Sequence, residues 1–167
     1  ITTVAIGTIT TGSGAIVYVY GGDANASATL TNTGTLNIAA NAFASAAFAS
    51  ANATVDTGIW QSAQAFGGSD ADATVSLTNS AAGVINIAAV ATALGTISAT
   101  ANASVSFAIG QFASAQVESG LASADVTLDN DGSITIGAVA FASANGVNPT
   151  GTAVNGSASA NATVGTG

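Results

Sequence analysis

The stretch Ala24–Ala44, ANASATLTNTGTLNIAANAFA, consists of two runs of alternating small and apolar residues separated by the turn letters Asn32-Thr33-Gly34. Ala24, Ala26, Ala28 and Leu30 fall on one face of the first run, opposite Asn25, Ser27 and Thr29. A period of two is the mark of a half-buried strand. Alanine is the best helix former, but its partners here are Thr, Ser, Val, Ile and Asn. Apolar positions do not recur at three- and four-residue spacing, so strand is the reading.

The same pattern recurs at Ala71–Ala93, with its turn at Asn79 to Gly83, and at Ala122–Ala142, with Asn130-Asp131-Gly132. Aligned on the Leu before each turn, the copies start from Leu30, Leu77 and Leu128. After the turns come Leu36-x-Ile38, Ile85-x-Ile87 and Ile134-x-Ile136, each followed by two alternating alanines. A later phrase repeats as Ala51-Asn52-Ala53-Thr54-Val55, Ala101-Asn102-Ala103-Ser104-Val105 and Ala160-Asn161-Ala162-Thr163-Val164. Ile59-Trp60-Gln61-Ser62-Ala63 and Ile109-Gly110-Gln111-Phe112-Ala113 form a fourth element in two copies. A unit of about 50 residues repeated along a chain is the signature of a stacked repeat architecture.

Val55-Asp56-Thr57-Gly58-Ile59 is echoed by Val164-Gly165-Thr166-Gly167, with Ile1 as the residue that follows if the chain is joined to itself. The repeats are then 1–58, 59–108 and 109–167 of a single repeat domain. Ile1, Val164 and Gly167 become candidate head-to-tail contacts. Two arrangements satisfy that phase: separate subunits stacked into a homopolymer, or contiguous tandem repeats of a longer chain. With no initiating Met and no signal peptide at Ile1, the expected object is a processed product or a segment of something longer.

Composition narrows the function classes. Of 167 residues 40 are Ala and 20 Gly, and there is no Lys, Arg, His, Cys or Met. All eight ionisable side chains are acidic, giving a net charge of −8. A chain without a cation cannot neutralise phosphates, which excludes nucleic acid and anionic lipid surfaces as partners. Zinc, haem, iron–sulfur and disulfide frameworks need residues it lacks. Low charge with many β-branched residues argues against disorder. The Ala-rich stretch 36–55 is interrupted by Asn41, Ser45, Ser50, Asn52 and Thr54, so no apolar run of about 18 residues exists for membrane insertion. The absence of Lys and Arg also removes every trypsin-type cleavage site, which suits a durable extracellular material.

The fold expected is all-β: a β-solenoid, parallel β-helix-like, of three repeats stacking end to end into a filament. At about 24 residues per rung each repeat makes two rungs, and the chain makes about seven, rising roughly 34 Å. Alanine interiors let sheets approach closely. The competing fold is antiparallel, with 30–36 as a hairpin loop, and strand exchange as its route to sticky ends. Neither end carries the polar cap a solenoid needs, and there is no Lys to blunt an edge strand.

Candidate sites follow from the turns and faces. Asn32, Asn79 and Asn130, with Gly34, Gly83 and Gly132, read first as turn residues tolerant of left-handed geometry; the other reading is a stacked amide ladder. Phe43 and Phe141 interrupt the outward side of their strands and are candidate lateral contacts. Asp129-Asn130-Asp131-Gly132 supplies oxygen ligands beside a Gly turn, making Asp129 and Asp131 the candidate site for a structural Ca²⁺, although the first turn has no carboxylate. Otherwise no cofactor is expected. Ser and Thr hydroxyls have no adjacent base, and the acidic pairs read as solvated surface, so no catalytic residue is named. Asn/Thr alternation generates glycosylation sequons at Asn52, Asn102 and Asn161 without implying modification. The broken Thr columns weigh against ice binding.

The phrases ATVSLTNSAAGVINIAAVATA (73–93) and ADVTLDNDGSITIGAVAFASA (124–144) resemble the repeats of giant low-complexity bacterial surface proteins, haemagglutinin- or adhesin-like, of alphaproteobacterial style. The resemblance spans nearly the whole chain and rests on repeat style. It implies an extracellular or cell-surface location and a part in surface fibres, adhesion or biofilm matrix, and it brings no catalytic residues. The total lack of cations departs from that style. The functional expectation is a structural subunit or segment of a secreted filament. An adhesin segment that binds a carbohydrate or a surface through exposed Phe, Tyr and Thr is the alternative.

Overall fold

A computed structural model describes residues 2–19, 22–147 and 150–165, the first of these stretches through its backbone. The chain is all-β, with no helix among the described residues. In order come β1 (Thr2–Val19), β2 (Ala24–Asn32), β3 (Thr35–Gly67), β4 (Ala71–Asn79), β5 (Val84–Val117), β6 (Ala122–Asn130), β7 (Ser133–Ala144) and β8 (Ser157–Val164). They form two sheets, one ordered β1-β3-β5-β7 with β8 also on β5, the other β2-β4-β6. Every pairing between these strands is parallel, which removes the antiparallel alternative. Val147 and Ala153 make one antiparallel bridge in the segment before β8.

The long strands are not uniform. In β3 the buried positions are even-numbered from Ile38 to Ala44 and odd-numbered from Ala49 onward, and the register slips between Ala46 and Phe48. Around Asp56–Gly58 the alternation breaks again. Side chains that change parity along a strand mark a bend, because a strict period of two holds only while the strand runs straight. β3 therefore comprises the runs 35–46, 48–55 and 59–67, and β5 the matching runs 84–95, 98–105 and 109–117.

Register then defines four columns. The first holds β2, β4 and β6; the second 35–46, 84–95 and β7; the third 2–9, 48–55, 98–105 and β8; the fourth 12–19, 59–67 and 109–117. Leu30 lies beside Leu77 and Leu77 beside Leu128. Ala51 lies beside Ala101 and Ala101 beside Ala160. One repeat thus adds one strand to each column, and a level of the stack takes about 50 residues. The expected 24-residue rung is incorrect. Strand alternation reports direction within a run, whereas rung size depends on where the chain bends. Four levels at about 4.8 Å separation put the outermost strands roughly 14 Å apart, well short of the 34 Å expected.

The phase inferred for Ile1 also differs. The backbone sets Thr2 opposite Phe48 and Ile9 opposite Val55, so β1 enters the third column near its start, where the joined-chain reading put Ile1 opposite Ile59. Ile1 and Gly167 themselves lie outside the described residues. Val164 pairs with Val105, in the same column as Ile9.

Two small-residue cores result. One gathers Ile38, Ala40, Ala42 and Ala44 with Ala49, Ala51, Ala53, Val55 and their counterparts in β5, so the second and third columns face each other. The other joins Ala24, Ala26 and Ala28 of β2 and their β4 counterparts to Ala63 and Ala65 of the fourth column. β7 and β8, which pair with different runs of β5, come within 8 Å between Cα atoms. Ordinary stacked sheets sit about 10 Å apart. Alanine makes that approach possible: it projects one carbon from each sheet, so both backbones close on the shared layer.

Candidate assembly surfaces

The turn after each first-column strand is built on asparagine. Asn32 Nδ2 donates to Asn79 Oδ1 at 2.8 Å and to the carbonyls of Gly34 and Val84. Asn79 Nδ2 in turn donates to Asn130 Oδ1 at 2.6 Å and to the carbonyls of Gly83 and Ser133. Asn130 Nδ2 donates to Gly132 O at 3.3 Å. Among the described residues no non-glycine has a positive φ, so these asparagines are not there to accommodate left-handed backbone. They form the amide ladder. Asn79, completely buried, is held on both sides.

The glycines of the same turns are set by that stacking. A Cβ on Gly132 would meet Asn79 Nδ2 at 2.8 Å and press on the carbonyls of Gly83 and Ser80 one level down. On Gly83 it would meet Asn32 O at 2.7 Å and Asn79 Oδ1. On Gly34, the first of the column, it would meet nothing within 4 Å.

Further ladders run through the stack. Asn86 donates to Asn37 at 2.7 Å and Asn102 to Asn52 at 2.8 Å. Gln61 is wholly buried and bridges columns instead of levels. Its Nε2 reaches across to the carbonyls of Ala28 and Ser76, joining the fourth column to the first. Gln111 repeats this with Thr127 O at 3.1 Å while donating to Gln61 Oε1 at 3.0 Å. Buried side-chain amides stay favourable only when their donors and acceptors are met. Among the described residues no buried side-chain polar atom lacks a partner. The recurrence of Gln at 50-residue spacing was visible in the sequence. Its reach between sheets was not, because alternation does not reveal which column faces which.

The last level is unlike the middle one. Val75 and Leu77 in β4 are fully buried, while their neighbours Val126 and Leu128 in β6 are 52% and 48% exposed. Every residue of β6 and of β8 is exposed. Among the described residues β6, β7, β8, 109–117, β2 and 35–46 each have a strand on one side only. These open edges carry unpaired backbone groups in line with a hydrophobic interior.

Phe43, Thr92 and Phe141 are direct neighbours in the second column, and both phenylalanines project outward, 60% and 53% exposed. Leu94 and Val139 extend that outer face. Trp60 lies across Gly110 in the fourth column with Phe112 exposed nearby. Asp129 is the penultimate residue of β6 and Asp131 sits in the following turn, where its N–H donates to Asn79 O. Among the described residues no three acidic side chains gather as a metal site requires. Asp70 Oδ1 instead accepts from Leu121 N at 2.9 Å.

Together these features define an all-β chain of stacked parallel sheets with in-register side-chain ladders. Comparison with known proteins finds no match among family models, curated proteins or solved structures.

Proposed function

We propose that the chain is a structural module of an extracellular bacterial filament, a β-solenoid that lengthens by stacking its terminal levels on copies of itself. The carrying observation is the contrast within one column: Leu77 is fully buried, and Leu128, its neighbour, is half exposed on an open strand. An uncovered edge of this kind is a template for another chain. Solenoids that remain monomeric cover such ends with polar caps. The exterior location is supported by the repeat resemblance and by the absence of Lys and Arg.

Negative-stain imaging and sedimentation across a concentration series test this. Unbranched fibres lengthening with concentration are expected. Monomers at every concentration would refute it. A second reading, an adhesive segment that binds carbohydrate, is favoured by the exposed Trp60 and Phe112 beside Gly110, since flat aromatic faces pack against sugar rings. A glycan array checks it, with Trp60→Ala abolishing any signal.

A further inference from the structure

The columns are unequally filled, and that inequality says how two copies would join. Among the described residues the first, second and fourth columns hold three strands each, and the third holds four. Advance a second copy by three levels. Its β2 then lies on β6, its 35–46 on β7, and its 12–19 on 109–117. Three columns close edge to edge, with Asn130 Nδ2 facing Asn32 Oδ1 of the second copy in the sense the ladder already runs. In the third column the second copy's 2–9 falls on the place occupied by β8. Both cannot stay.

We propose that copies join by strand exchange: residues 2–9 of a second copy displace β8 and pair with 98–105. This rests on the filament reading above. Three observations select β8 as the strand that leaves. It is exposed along its whole length. It alone reaches its column through a long segment, 145–156, where the same connection at other levels takes one or two residues. And its sequence, SASANATV, is rich in Ala, Ser and Asn, whereas TTVAIGTI at 2–9 has the β-branched residues that favour strands. Residues 2–9 also continue into 12–19 as one strand, so they arrive already positioned by the fourth column.

Because the chain has no cysteine, engineered disulfides read the joint directly. Ser104 and Thr163 are direct partners across β5 and β8, within disulfide reach. The S104C/T163C chain, oxidised, is expected to stay monomeric, and on reduction to polymerise as the unmodified chain does. In T8C/S104C the two cysteines lie two levels apart within a copy, about 9.6 Å and beyond the roughly 7 Å limit. They are adjacent only across the exchanged joint. Fibres of this variant should yield reductant-sensitive multimers in denaturing gels. If the oxidised lock polymerises as readily as its reduced form, or if fibres of T8C/S104C contain no cross-link, exchange is overturned while stacking stands. If unmodified and reduced chains both remain monomeric, the filament reading falls with it.

Discussion

Leu77 and Leu128 are neighbours in one parallel sheet and occupy the same place in their repeats, yet Leu77 is fully buried and Leu128 is 48% exposed. Burial here depends on level rather than on sequence position. Leu77→Ala removes a packed side chain from a filled core and should cost about 2–5 kcal/mol. Leu128→Ala should cost about 1 kcal/mol in the monomer, since about half of its surface stays in water. Urea titration of the two variants at low concentration checks the difference. In fibres the two costs should converge.

Asn79→Ala leaves Asn130 Oδ1, Asn32 Nδ2 and the carbonyls of Gly83 and Ser133 short of a partner. Each unsatisfied buried group costs roughly 1–3 kcal/mol. The substitution should be among the most damaging of any polar residue in the chain. Asn130→Ala, at the exposed end of the ladder, should destabilise less. Thermal unfolding followed by circular dichroism ranks them.

Gly34→Ala and Gly83→Ala separate folding from assembly. At Gly83 a methyl group collides with Asn32 O and Asn79 Oδ1, with an expected loss of about 1–3 kcal/mol. At Gly34 there is open space, so the monomer should change by less than about 0.5 kcal/mol. In a stack that space holds the 130–132 turn of the neighbouring copy. A Gly34→Ala chain that folds normally yet needs a much higher concentration to form fibres is the outcome expected from sedimentation.

The close sheet spacing makes the interior intolerant of size. Ala101→Leu inserts three carbons where both backbones have closed on alanine, a strain of at least about 1–3 kcal/mol. Ala39→Leu points outward on an exposed position and should be nearly silent. Hydrogen-exchange protection of the third column distinguishes them, falling for the first variant alone.

Each copy carries eight acidic groups and no cation, so copies repel at low ionic strength. The screening length falls from about 30 Å at 0.01 M salt to about 8 Å at 0.15 M. Added sodium chloride should therefore lower the concentration at which fibres appear, and a chelator should have no effect. Loss of fibres with chelator and recovery with calcium would instead assign a cation to Asp129 and Asp131.

The parallel neighbours were legible because Leu30, Leu77 and Leu128 mark equivalent points, and alternation around them specifies strands. Rung size was hidden. The parity switch between Ala44 and Ala49 is written in the sequence, but a small-residue pattern reads equally well on either face until the bend is known. Asn79 illustrates a second limit: one residue type serves both left-handed turns and amide ladders, and only backbone geometry separates the two. β1 lacks the Asn–Gly marker of the other repeats, which is why its phase was misplaced.

The asparagine ladder has one further consequence. Asn32 donates to Asn79 and Asn79 to Asn130, so each amide passes its hydrogen the same way, leaving the Oδ1 of Asn32 at one end and, at the other, the Nδ2 of Asn130, which holds only the carbonyl of its own turn. Copies meeting through their Asn130 ends would set hydrogen against hydrogen. A fibre built from this chain has a direction: its two tips are chemically different and grow at different rates.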